Sequence, residues 1–108
     1  MKIPEIYYTQ AEFCKVVSHP YRLLILETLS GAPRTVNEIS KILNTSPSNI
    51  SQHLKKLLDK GVVRREKKGN KMYYHLEYPE VLEASKIMRK VLEKIFKQRI
   101  KLLNKGNP

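Results

Sequence analysis

Several things are scarce in this sequence of 108 residues. It has one cysteine, no tryptophan, two phenylalanines and four glycines. A single cysteine excludes an intrachain disulfide framework and a cysteine-rich zinc site, and makes a reducing, cytoplasmic setting the expectation. No apolar run approaches the roughly 20 residues of a membrane span, and the N-terminus lacks the apolar stretch of a secretory signal. Gly-rich linkers, low-complexity tracts and internal repeats are missing as well, so residues 1–108 are expected to form one domain. A phosphate-cradling glycine loop, a paired carboxylate cluster and a nucleophile–base pair are all lacking, and the three histidines have no catalytic company. The chain is therefore not expected to be an enzyme.

Negative charge is scarce too. There are 10 Asp/Glu against 21 Lys/Arg, a net charge of +11 with a pI near 9.9. Fixed cations gain free energy by releasing counterions from nucleic acid, so a polyanionic partner is expected, which the groove-reading pattern of the fourth helix makes double-stranded DNA. The charge is unevenly placed. Residues 1–45 are nearly neutral, with 5 Lys/Arg against 4 Asp/Glu; residues 77–108 carry 8 against 4. Residues 46–76 carry 8 against 2, net +6, more than half the total in less than a third of the chain.

The local signals divide the chain into five helices and a hairpin. A first helix is expected from about Glu5 to Ser18, with Ile6, Phe13, Val16 and Val17 as its apolar side. His19-Pro20 interrupts it, because the residue before a proline resists helical torsions, and proline then opens a second helix to about Ser30. Leu23-Leu24-Ile25-Leu26 and Leu29 make that helix apolar on several sides, which predicts a central, buried position. Thr35 followed by Glu38 is a capping box for a third helix, with Val36, Ile39 and Leu43 inward and Asn44 suited to a left-handed stop.

Ser46-Pro47 then starts a fourth helix sharply. In it Ile50, Leu54, Leu57 and Leu58 recur at helical spacing, and small polar and basic groups fill the other face. A helix that enters the major groove and bonds to base edges needs that division. Gly61 stops it. Val62 to Leu76 folds back around Lys68-Gly69-Asn70, residues that tolerate positive φ, with Met72, Tyr74 and Leu76 on one face of the return strand. From Pro79 a last helix reaches about Lys105, near 39 Å long, with Val81, Ala84, Met88, Val91 and Ile95 on a stripe widened by Leu82, Ile87, Leu92 and Phe96. Such a stripe either packs across its own domain or, as the small size of the chain favours, against a second copy. The fold class is mainly α with a small β-hairpin wing (α+β): a helix-turn-helix at about 35–60, a wing at about 62–76 and a dimerisation helix at about 79–105.

This order of elements resembles the ArsR/SmtB family of winged-helix repressors over about Tyr8 to Lys97. The most specific pieces are Ser18-His19-Pro20-Tyr21-Arg22-Leu23-Leu24-Ile25-Leu26, similar to the family's small-x-Pro-x-Arg-x-x-Ile-Leu opening, and Ser48 to Leu57, similar to its recognition helix. Gly61-Val62-Val63-Arg64 and Met72-Tyr73-Tyr74-His75-Leu76 match its wing strands. The resemblance implies a homodimer joined by first and last helices, bound to an inverted repeat and associated with the nucleoid. Phe13, Val17, Val81, Ala84, Met88, Val91, Leu92 and Ile95 are its expected interface. Ser48, Asn49, Ser51 and Gln52 are the candidates for bases and nearby phosphates, since Asn and Gln bond bidentately to adenine and Ser adapts to several edges. Lys55 and Lys56 are expected on phosphates, as are Arg65, Lys67, Lys68, Asn70 and Lys71 of the wing, whose alternative is a solvated charged turn. His53 matches a position near DNA, or its ring packs under the helix. Arg22 is expected to pair with a carboxylate or a helix end.

Many members of that family release DNA on binding a metal, and here the sequence departs from the pattern. The third-helix motif has cysteines two residues apart where this chain reads Val36-Asn37-Glu38-Ile39, and no histidine follows His75 for the site on the last helix. Carboxylates alone do not replace thiolates and imidazoles, so no metal or other cofactor is expected. Cys14 is either a redox sensor near the dimer interface or a small buried packing residue. The polar row of the fourth helix favours a sequence-specific regulator over a non-specific architectural protein or a winged-helix adaptor for a protein partner.

Overall fold

The computed structural model describes residues 1–105; residues 106–108, the end of the expected domain, lie outside the described residues. The elements follow in the expected order: α1 (Glu5–Val17), α2 (Pro20–Gly31), α3 (Val36–Leu43), α4 (Pro47–Asp59), β1 (Val63–Lys68), β2 (Lys71–Leu76) and α5 (Pro79–Lys105). Residue chemistry sets each boundary. His19 is extended, as the residue before a proline must be, and its Nδ1 accepts the Tyr21 N–H at 3.2 Å, so it caps α2. Thr35 and Glu38 close the reciprocal box at the start of α3, with contacts of 3.2 and 3.1 Å. The Thr35 N–H, and after it the Thr35 side chain, hold the exposed Glu38 carboxyl below the usual carboxylate range. Asn44 takes the left-handed conformation, φ 52°, that ends α3. Ser46 Oγ accepts the Asn49 N–H at 3.1 Å and starts α4.

The core lies where α2, α3 and α4 meet the base of the hairpin. Ile25, Leu26, Ile39, Ile50, Leu54, Leu57 and Val62 are fully buried, joined by Val17, Leu29, Val63, Tyr74 and Leu82. Each such aliphatic side chain contributes about 1.5–3 kcal/mol by leaving water. Burial of α2 is less complete than its apolar run predicts: Leu23 is half-buried and Leu24 is 47% exposed, because the core covers only one side of the helix.

The strands pair antiparallel from Val63 opposite Leu76 to Lys68 opposite Lys71, leaving Gly69-Asn70 as the loop. Gly69 has φ 62°, while Asn44 is the one non-glycine residue at positive φ among the described residues. Asn70 therefore does not use the tolerance expected of it; only the first loop residue needs the left-handed region, the pattern of a type II′ turn. Arg34 adds a one-residue third strand to the wing, with its N–H and carbonyl bonded to the Tyr74 carbonyl and N–H at 3.1 and 2.8 Å.

At 27 residues α5 is about 40 Å long, which helps stretch the protein to 65 Å along its longest axis. Only its start meets the core, through buried Leu82 and half-buried Val81. Leu82, expected at the margin of the stripe, is thus its intrachain anchor. Val17 also differs from expectation. At 4% exposure it is packed in its own core and has no surface left for a second chain, while Phe13 is half-buried against the same cluster. No helix among the described residues is long and apolar enough to cross a membrane.

Candidate nucleic-acid interface

The pattern of α4 separates two faces. Ile50, Leu54 and Leu57 are buried, and Ser48, Ser51, Gln52, Lys55 and Lys56 are exposed on the other side. No acidic residue occupies the first turn, so the partial positive charge of the helix N-terminus is left for an anion such as a phosphate. Asn49 is placed differently from its neighbours. It is half-buried, and its Nδ2 donates to Thr45 Oγ1 at 3.1 Å, which ties the turn between α3 and α4 to the new helix. One of its amide hydrogens is therefore unavailable to a base. Thr45 was not singled out in the sequence. The signal was its place four residues before an Asn, just ahead of the Ser-Pro helix start.

His53 turns inward, toward α2. Its Nδ1 accepts from Arg22 Nε at 3.3 Å, and its ring lies 4.6 Å from His19 and 5.6 Å from Tyr21, centroid to centroid. The packing alternative holds for this residue, not the DNA-facing one. Burial holds its pKa below the ordinary histidine value, and the charges of His19, Arg22 and Lys56 push the same way. Arg22 is buried, and its Nη1 donates to the Val16 carbonyl near the end of α1. It therefore pairs with a helix end, as expected, and with an imidazole in place of a carboxylate.

The charges of the hairpin differ in their partners. Arg64 Nη1 donates to Glu66 Oε2 at 3.4 Å and its Nε lies 2.8 Å from Glu77 Oε2 in an ion pair, so two acids offset it. His75 Nε2 lies 3.4 Å from the same Glu66 oxygen without hydrogen-bond geometry. Arg65, Lys67, Lys68 and Lys71 are exposed and are in no ion pair among the described residues, and Asn70 stands exposed at the tip. The free cations of the wing are thus those expected to meet phosphate, and the one left out, Arg64, is the one neutralised.

On α5, Ala84, Met88, Val91, Leu92 and Ile95 are exposed in the single chain, as are Ile87 and Phe96. Cys14 is exposed on α1, so it is not a buried packing residue. Among the described residues no group of three or more His, Cys, Asp or Glu side chains is gathered to hold a metal. With Val36-Asn37-Glu38-Ile39 in place of a cysteine pair on α3, the residues present do not fit one.

Residues 19–65, from the cap of α2 into β1, match the family model for bacterial regulatory proteins of the arsR family. The HTH-type transcriptional regulator Rv0081 of Mycobacterium tuberculosis is 36% identical over 104 residues, covering 95% of this chain and 91% of the relative. Its crystal structure superposes with a TM-score of 0.79 over 91% of this chain and 99% of that one. The transcriptional repressor PagR of Bacillus anthracis is 34% identical over 82 residues, covering 75% of this chain and 82% of the relative. The PagR crystal structure gives a TM-score of 0.63 over 73% of this chain and 91% of that one.

Proposed function

The chain belongs to the ArsR family of bacterial regulatory proteins and is a DNA-binding transcriptional regulator, not an enzyme, and from that premise we propose how it engages DNA. It acts as a homodimeric repressor in the cytoplasm, at the nucleoid, and binds an inverted repeat. The exposed row on α4, together with the wing cations that are in no ion pair among the described residues, carries this reading. Ser48, Ser51 and Gln52 face base edges in the major groove, and Gln52, whose amide has no hydrogen-bond partner among the described residues, makes the most discriminating contact. Asn49 sets the start of the helix and offers the rest of its amide. Lys55, Lys56, Arg65, Lys67, Lys68, Asn70 and Lys71 hold phosphates and fix the register. His53, turned inward from α4 toward α2, is a positioning residue.

The α5 stripe of Ala84, Met88, Val91, Leu92 and Ile95, with Phe13 and the rim of Val81, receives a second copy. Two-fold symmetry then sets the two α4 helices into successive major grooves about 34 Å apart. The test is recovery of genomic fragments by the purified protein at about physiological salt, where non-specific contacts weaken. A shared inverted repeat, lost with Gln52→Ala, is the expected outcome. Unselective recovery would overturn the proposal in favour of architectural binding, and no recovery would turn attention to a protein partner.

A further inference from the structure

The end of α1, the start of α2 and the C-terminal half of α4 line an open cavity of about 540 Å³ that the proposed DNA contacts do not use, apart from Lys56 on its rim. That volume lies within the range of small-molecule sites. Its wall carries four permanent cations, Lys15, Arg22, Lys56 and Lys60, with His19 beside them, against two carboxylates, Glu12 and Asp59. Among the described residues no carboxylate lies within hydrogen-bond distance of the three lysines. Lys15 and Lys56 are in no ion pair among the described residues, and Lys60 is 3.8 Å from Glu12, beyond hydrogen-bond distance, although its side chain is only 31% exposed. Arg22 is already engaged with the α1 carbonyl and His53.

His53 lies one residue behind this wall, against His19 and Arg22, and reports the same imbalance. After burial, the causes that depress its pKa are the positive charges of His19, Arg22 and Lys56. Donors dominate the cavity: lysine ammonium groups, the His19 ring and the Ser18 hydroxyl. Lys56 is four residues past Gln52, about 6 Å, and Lys60, the residue that caps α4, is eight, about 12 Å, so the cavity extends away from the base-reading row.

We propose that this cavity is a binding site for a small phosphate- or carboxylate-bearing metabolite, held by Lys15, Lys56 and Lys60 with His19 and Ser18. An anion there joins α1 to the recognition helix. Its effect on DNA affinity rests on the regulator reading above, whereas its binding does not.

The test is therefore made first without DNA. Amide spectra of the full chain are recorded during titration with inorganic phosphate and with citrate, each against chloride at matched ionic strength. Saturable shifts at Ser18, His19 and His53, with a rise in the His53 titration midpoint, are the expected result, and Lys15→Gln with Lys60→Gln should abolish them. If that pair loses the folded spectrum, Lys15→Gln alone carries the expectation of several-fold weaker binding, since Lys15 is exposed and outside any described ion pair. Shifts that chloride reproduces, or none that saturate, would overturn the proposal. So would a short DNA duplex that moves the same resonances and is displaced stoichiometrically by phosphate, because the cavity would then belong to the DNA face.

Discussion

Replacing Lys67 and Lys68 by Gln tests the assignment of the wing most directly. Both are exposed, neither is in a described ion pair, and they precede the Gly69 turn, so their loss leaves the ladder of backbone bonds intact. Each lysine that neutralises a phosphate releases a condensed counterion and contributes about 0.9 to the slope of log Kobs against log salt. Two lysines per wing and two wings per dimer predict a slope shallower by about 3.6 if all reach phosphate, and by about 1.8 if one per wing does. Over a threefold rise in salt, the larger value means the parent chain loses about 50-fold more affinity than the variant. Fluorescence anisotropy of a selected fragment and an unrelated one, across a salt series, reads both quantities. The loss should be nearly uniform between the fragments, since phosphate contacts carry no sequence information. Arg64→Gln should change the slope less, because Glu66 and Glu77 already offset that guanidinium. An unchanged slope for the double variant, or a loss confined to one fragment, would refute the reasoning.

Three further outcomes are expected. Gln52→Ala should cost about 1–3 kcal/mol on the selected fragment and little on unrelated DNA, whereas Asn49→Ala should lower the melting temperature as well, because its amide braces the α3–α4 turn; calorimetry beside anisotropy separates them. The depressed pKa of His53 means that its contribution to stability is full above the ordinary histidine value of about 6.5 and is lost as pH falls toward the folded value. Urea unfolding across that window should show a smaller pH dependence in His53→Gln, whose amide oxygen can accept from Arg22 without titrating; equal slopes would remove His53 as the cause. Val91→Asp with Ile95→Asp should yield a folded monomer by sedimentation, since both side chains are exposed in the single chain; an unchanged dimer would place the interface elsewhere.

What the sequence revealed, and what it hid, follows from the range of the forces involved. The His19-Pro20 break, the Thr35/Glu38 box, the Asn44 stop and the Ser46-Pro47 start are settled within four residues, and each is found where local chemistry puts it. Burial is not local. Val17 and Leu82 sit on the same periodic stripes as their neighbours, and only tertiary placement decides that these two turn into the core. Asn49 and Gln52 look alike in sequence, but a hydrogen bond to Thr45 makes one of them partly structural. The resemblance leaves His53 either near DNA or packed under the helix, and Arg22, 31 residues away, draws it inward. The Arg34 bridge to Tyr74 was hidden for the same reason, being a backbone pairing between distant segments.

The long helix asks for two things that salt affects in opposite ways. Between Pro79 and Lys105 it carries 8 Lys/Arg against 3 Glu, so two copies brought together repel, while the exposed Met88, Val91, Leu92 and Ile95 draw them together. Salt screens that repulsion, with a Debye length of about 10 Å at 0.1 M, and leaves apolar attraction in place, so the dimer should tighten as salt rises. DNA affinity should fall over the same range, because counterion release loses its driving force. Sedimentation without DNA and anisotropy with it, on one salt series, should therefore give slopes of opposite sign. Dimer and DNA affinities that fell together would mean that ion pairs, and not the apolar stripe, join the two chains.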